Sequence, residues 1–336
     1  MPYDPLEVVE KLRELQRLIR DVVVNSRRHA GLSDVARSSS ADTIYRIDAL
    51  VEPVIDDYCR HWSRSLPLVV ICEGLEPESG KVYPAHVSLE SAAARLIIDP
   101  IDGTRGIMYD KRPAWSLAGL APNRGDATRL RDIDVAVMTE LPTSKMTLAD
   151  VLYAVRGRGA VGLRERIDRD GASQLVTPIS LQPSGATTLR HGFGMVSNFF
   201  PGTKVLAGEL MERIAEASIG QPDFSGASVF DDQYICTGGQ FYEMTVGHDR
   251  FNCDLRPLLY RCLEGNPRGL SAHPYDCCTA LIAEEAGVIV TDGLGKPLDG
   301  PLDCVTGLSW ATFANDTLRS QLEPVIIEFF RARGVA

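Results

Sequence analysis

The residues best suited to chemistry are the carboxylates of Asp99-Pro-Ile-Asp102-Gly-Thr104, which follow the apolar run Leu96-Ile-Ile98. Hard divalent cations such as Mg²⁺ take oxygen ligands, commonly a few carboxylates completed by water and phosphate oxygens. Here two carboxylates stand three residues apart across a turn in which Pro100 restricts one dihedral and Gly103 permits an unusual one, so both can point at one place. With Thr104 opening a helix, the N–H groups of Gly103 and Thr104 would form an anion site beside the metal ligands. By itself the hexapeptide reads equally as a surface turn with a helix cap. Asp48, Glu73 and Asp276 are the further carboxylates a metal cluster would use. Asp276 also reads as a helix N-cap, a role that leaves one oxygen available.

The elements that must position these groups follow from periodicity. Asp4-Pro5 opens an amphipathic helix with Val8, Val9, Leu12, Leu15, Ile19, Val22 and Val23 at helical spacing, and a second such pattern runs from Asp42 to Tyr58. The β-branched run Leu66 to Cys72 reads as a buried strand ending at Glu73, and 96–98 as another ending at Asp99, so two carboxylates sit at strand ends. Further strands are expected around 115–121, 133–138, 151–155, 192–197 and 288–290, and helices over 204–218, 228–236, 276–286 and 316–332. The stretch 160–185 is polar and without strong periodicity, which places a boundary near 185 between an N-terminal subdomain (1–185) and a C-terminal one (186–336). Strands and helices alternate without a βαβ rhythm, so the expected class is an α/β (α+β) layered sandwich.

Composition excludes some partners. Lys and Arg number 35 against 45 Asp and Glu, a net charge of −10 that repels nucleic acid and anionic membrane surfaces. A chain acting on phosphate would need cations to reverse that field locally. The eight cysteines include no C-x-x-C pair and sit in apolar stretches, as expected of reduced thiols in a cytoplasmic protein. The first residues lack the apolar core of a signal peptide, and no stretch approaches a membrane-spanning length.

Four segments together resemble the inositol monophosphatase family, the lithium-sensitive phosphatases. They are Ala41 to Asp48, Ile71-Cys-Glu73-Gly, Ile98 to Thr104, and Tyr275-Asp276 with Glu284-Glu285-Ala-Gly287, in the family's order. Weaker similarity, including Gly226-Ala-Ser228 and Phe241-Tyr-Glu243-Met, extends it over roughly residues 40 to 310. The resemblance implies an alternating α and β layer fold and Mg²⁺-dependent hydrolysis of a small phosphate monoester, with two or three ions per site. It implies that Glu73, Asp99 and the Ile101 carbonyl hold one ion, that Asp99, Asp102 and Asp276 hold a second, and that Thr104, oriented by Asp48, activates a water for in-line attack. A homodimer is implied as well. A bisphosphate phosphatase, of the fructose 1,6-bisphosphate or 3′-phosphoadenosine 5′-phosphate type, and a non-catalytic binding protein are the alternatives.

Departures from the family pattern bear on the substrate. Gly74 stands where a second glutamate is usual, leaving Glu76 as a substitute, and Arg105 follows Thr104, as a reader of a second anion or as a solvated charge. Between Glu243 and Asp276 lies an apparent insertion, near 247–273, with Gly247-His-Asp-Arg250 and Asp254-Leu-Arg256-Pro. It is expected either to cap the site, with His248 and Arg250 on the ligand, or to add a packing element. Ser228 and Glu243 complete the expected leaving-group pocket, while Glu284 and Glu285 are expected to be solvated helix charges.

Overall fold

The structure, a computed structural model, describes residues 2–26, 34–38, 43–75, 77, 80–168, 173–221 and 225–335. Asp42 and Glu76 lie outside the described residues. The chain opens with α1 (Pro5–Ser26), the short hairpin β1 (Val35–Ser38) and β2 (Thr43–Tyr45), and α2 (Arg46–Trp62). There follow β3 (Leu68–Cys72), β4 (Lys81–Tyr83), β5 (Ala94–Asp102), the single turn α3 (Thr104–Ile107), β6 (Ala114–Pro122), β7 (Val135–Leu141), β8 (Leu148–Val155), β9 (Ala160–Ile167) and β10 (Ser173–Ile179). Strands β3 to β10 form one sheet in the order β10-β9-β8-β7-β6-β5-β3-β4, antiparallel throughout except where β3 runs parallel to β5.

The second half contains β11 (Gly192–Val196), α4 (Lys204–Ile219), β12 (Val229–Phe230), α5 (Thr237–Thr245), β13 (Asp249–Asp254), α6 (Arg256–Arg261), α7 (Pro274–Cys277), α8 (Ala280–Glu285), β14 (Ile289–Thr291), β15 (Trp310–Phe313) and α9 (Asp316–Arg331). Its sheet has the order β12-β11-β13-β15-β14.

Period-two alternation on the central strands explains the layering. On β3, Leu68, Val70 and Cys72 face the apolar stripes of α1 and α2, whereas Val69 and Ile71 face the opposite core. That second core is continuous with Phe241 of α5, Ile282 of α8 and Trp310 of β15, and beyond the second sheet with Leu210 of α4 and Phe329 of α9. The result is five layers: α1 and α2, the large sheet, α5 with α7 and α8, the small sheet, and α4 with α9. The change of sheet falls between Ile179 and Gly192, yet the inner core does not divide there. Among the described residues no helix is long and apolar enough to cross a membrane.

Several expectations are corrected. Residues 160–167 and 173–179 are strands, on the outer part of a sheet where exposure removes the apolar alternation. The helix expected at 228–236 begins only at Thr237; its Gly238 and Gly239 fit because a Cβ there would lie 2.5 Å from Leu117 and 2.2 Å from Tyr234. The helix expected over 276–286 is interrupted between α7 and α8. Glu285 is not simply solvated, since its two oxygens accept the N–H groups of Gly157 and Gly159, both at 2.7 Å, whereas Glu284 is exposed, as expected of a solvated helix charge. The supposed insertion is in part a core strand: β13 lies between β11 and β15, and only 255–273 stands outside that sheet.

Phe241 is fully buried and meets the Trp310 ring edge-on, joining α5 to the small sheet. Phe241→Ala should cost about 3–5 kcal/mol of stability, read from urea unfolding; a loss below about 1 kcal/mol would show that this layer contact matters little.

Candidate active site

Four segments of the chain converge on one cavity. The end of β5 supplies Asp99, Ile101 and Asp102; the turn into α3 supplies Gly103, Thr104 and Arg105; α7 supplies Asp276; and Glu73 enters from the end of β3. Parallel pairing of β3 with β5, Cys72 opposite Ile98, is what brings Glu73 level with Asp99. The register of β5 against β6 is irregular between Asp99 and Asp102. That irregularity lets two carboxylates three residues apart turn toward one side.

The carboxylate geometry is tight. One oxygen from each of Asp99, Asp102 and Asp276 lies within 4.8 Å of the others, and Asp99 and Asp102 are 1% and 6% exposed. Burial first, and then the neighbouring carboxylates, push Asp99 well above the usual carboxylate range and Asp102 to about 8. Backbone donors hold the groups in place. Ile101 N–H donates to Asp99 Oδ1 at 3.0 Å, Gly238 N–H to Asp102 Oδ2 at 2.5 Å, and His273 N–H to Asp276 Oδ2 at 2.6 Å. The Gly238 bond ties the large-sheet half of the site to α5.

Beside the triad, Thr104 Oγ1 is 2.9 Å from Asp48 Oδ1 and 2.7 Å from the Ile101 carbonyl oxygen. Asp48 is the third residue of α2, and its other oxygen accepts the Tyr45 N–H at 2.8 Å. A helix-capping bond therefore fixes the carboxylate that faces Thr104. Gly103 has φ +94°, the left-handed conformation that glycine supplies at least cost, and a Cβ there would meet Cys236 at 3.0 Å.

Not every expected residue belongs to this cavity. Ser228 precedes β12 at the edge of the small sheet, where its carbonyl accepts the His191 N–H, and does not line the cavity. Glu243 and His248 pair with each other at 2.5 Å on the far part of α5, and Arg250 donates to the carbonyls of Thr188 and Arg190. None of these three lines the cavity, because β13 is built into the sheet and carries His248 and Arg250 away at its start. The other end of β13 reaches the site instead. Arg256, Phe199, Phe200, Ser271, His273 and Tyr275 all line it and were missed from sequence. The Asp254-Leu-Arg256-Pro run, an acid and a base flanking a strand end, was the one available signal.

Oxygen-only donors, three of them carboxylates in mutual repulsion, fit hard divalent cations such as Mg²⁺. Among the described residues no other group of three or more His, Cys, Asp and Glu side chains is so arranged.

No family model matches the sequence, and no curated protein matches it significantly. Solved structures do. An IMPase of Thermotoga maritima superposes with a TM-score of 0.62 at 16% identity, covering 98% of this chain and 100% of its own. Fructose-1,6-bisphosphatase of Leishmania major gives 0.64 at 14%, over 97% and 95%, and SuhB of Mycobacterium tuberculosis 0.61 at 15%, over 97% and 98%. The chain thus has the layered α/β fold that these phosphatases share. Within that class the architecture is the inositol-monophosphatase fold, spanning nearly the whole chain.

Because Asp102 binds its proton more tightly folded than unfolded, metal-free stability should fall as pH rises from the unfolded value of about 4 toward 8. Buried Glu140, also near 8, contributes with the same sign. A metal bound at the cluster would have to displace the protons of Asp99 and Asp102 but not that of Glu140. The rise in Tm on adding Mg²⁺ should therefore be larger at pH 8 than at pH 5, and Asp102→Asn should remove most of it. A metal effect equal at both pH values would contradict this account of the cluster.

Proposed function

We propose that this chain is a Mg²⁺-dependent hydrolase of phosphate monoesters of small polyols, cyclitols or sugars. The observation that carries the reading is the placement of the Asp99, Asp102 and Asp276 triad in one cavity with the Thr104 and Asp48 hydrogen-bonded pair. The fold shared with an IMPase and a fructose-1,6-bisphosphatase supports it. Divalent cations held by the triad, with Glu73 beside it, would supply Lewis-acid activation of water and offset phosphoryl charge.

The chain's own groups complete the arrangement. The Thr104 hydroxyl has one proton and two acceptors within reach, Asp48 Oδ1 and the Ile101 carbonyl. With its own proton donated toward Asp48, Thr104 can accept a hydrogen bond from a water aimed at phosphorus and, as that water attacks, take its proton while passing its own to Asp48. Gly103 and Arg105 flank that point and offer donors to the phosphoryl oxygens. Arg105 is held with its guanidinium 5.8 Å from the Tyr45 ring and 5.7 Å from that of Phe200. A net charge of −10 favours a small phosphorylated substrate over nucleic acid. We further propose a homodimer.

Phosphate release from a panel of polyol, sugar and nucleotide monophosphates, with and without Mg²⁺, tests the reading. Release should require Mg²⁺ and disappear in Asp99→Asn. Thr104→Val and Asp48→Asn should each lower kcat by about 10²–10⁴-fold with the fold retained by circular dichroism. Thr104→Val at wild-type rate would remove Thr104 from the chemistry, and absence of turnover of every compound by folded, Mg²⁺-saturated protein would overturn the hydrolase assignment.

A further inference from the structure

Opposite the β5 end of the cavity the wall comes from the small-sheet half, and the arginine in it is Arg256. It opens α6 directly after β13 and is only 6% exposed. Its side-on edge is occupied: Nε is 2.8 and 3.0 Å from the two Asp254 carboxylate oxygens, and Nη2 donates to Asp254 Oδ2 at 2.5 Å. Nη1 donates once, to the Leu270 carbonyl at 3.1 Å. A guanidinium has five N–H groups in a fixed planar fork. Three are therefore committed, and one on each terminal nitrogen is not; an acceptor bridging the two terminal nitrogens would engage the guanidinium through its end-on fork. The group's face is fixed by Phe199 and Phe200, with ring centroids at 5.3 and 5.4 Å. Phe200 also meets Arg105, so one aromatic ring organises both arginines that line the cavity.

A buried ion pair serving packing alone is replaceable by apolar side chains at little cost. This one is retained with its donors incompletely used, in the wall of the cavity that holds the carboxylate triad. Asp254 offsets the desolvation of Arg256 and aims it.

We propose that Arg256 is a specificity-determining residue whose end-on fork receives a second oxyanion, a carboxylate or a phosphate, carried by the alcohol that leaves the phosphoryl group. The inference rests on the hydrolase reading above and narrows it to doubly anionic substrates. Planar or tetrahedral oxyanions accept two parallel N–H bonds from such a fork. Asp254 holds the guanidinium and is a positioning residue.

The test compares glycerol 2-phosphate, which has no second anion, with 3-phosphoglycerate, which adds a carboxylate, and fructose 1,6-bisphosphate, which adds a phosphate. Arg256→Gln alone would strand the Asp254 charge in the interior, so the informative variant is Asp254→Asn with Arg256→Gln, alongside Arg256→Lys. Wild type should prefer one of the doubly anionic compounds. The double variant should raise KM for that compound about 10- to 100-fold, leave kcat within about twofold, and leave glycerol 2-phosphate unchanged. The compound that responds identifies carboxylate or phosphate as the group read. Loss of the same factor on all three compounds, or no loss on any, would overturn the proposal. Calorimetric binding of the same compounds with Ca²⁺ in place of Mg²⁺ separates the two readings. Binding selectivity that depends on Arg256, without turnover, would overturn the hydrolase assignment and support the clamp. Turnover without that selectivity would overturn the clamp alone.

Discussion

Mutual repulsion among Asp99, Asp102 and Asp276 is the constraint on which the site depends. Each pair of full charges within 4.8 Å of one another costs at least roughly 3 kcal/mol at an effective dielectric near 20, before the desolvation of each carboxylate is counted. No fold gathers such groups at a β-strand end for stability. Protonation of Asp99 and Asp102 relieves the cost, a bound divalent cation would do the same, and the backbone donors of Ile101, Gly238 and His273 hold the oxygens in place.

Those donors explain why the layers are arranged as they are. Gly238 reaches Asp102 only because α5 packs against β6 closely enough that a side chain at this position would collide with Leu117. The close approach in turn needs the continuous core that runs from the large sheet through Phe241 to Trp310. The site is therefore a joint between the two sheets, and the second-sheet elements contribute Arg256, Ser271 and His273 to a cavity whose metal-ligand candidates come mainly from the first.

Charge follows the same division. The carboxylate cluster and Arg105 stand on the β5 side of the cavity and Arg256 on the opposite wall; the Phe200 ring meets both arginines, and a buried carboxylate holds Arg256. An overall acidic protein thus presents locally cationic donors where a phosphorylated molecule would enter.

From the sequence alone the carboxylate set and the layered α/β class were legible, because they depend on local order: strand ends, a Pro and Gly turn, a capping position and apolar periodicity; the pairing of Thr104 with Asp48 was implied only by the family resemblance. What the tertiary structure decided was everything that depends on pairing. Strands β9 and β10 were hidden because an outer strand need not alternate, and β13 was hidden because Gly247 and a charged start disguised a core strand as an insertion. Register then reversed the expectation for the substrate wall. His248 and Arg250 sit at the start of β13, away from the cavity, and Arg256 beyond its other end lines it. Linear spacing cannot show which end of a strand meets a site formed by another sheet, since that is set by the packing of one layer on the next.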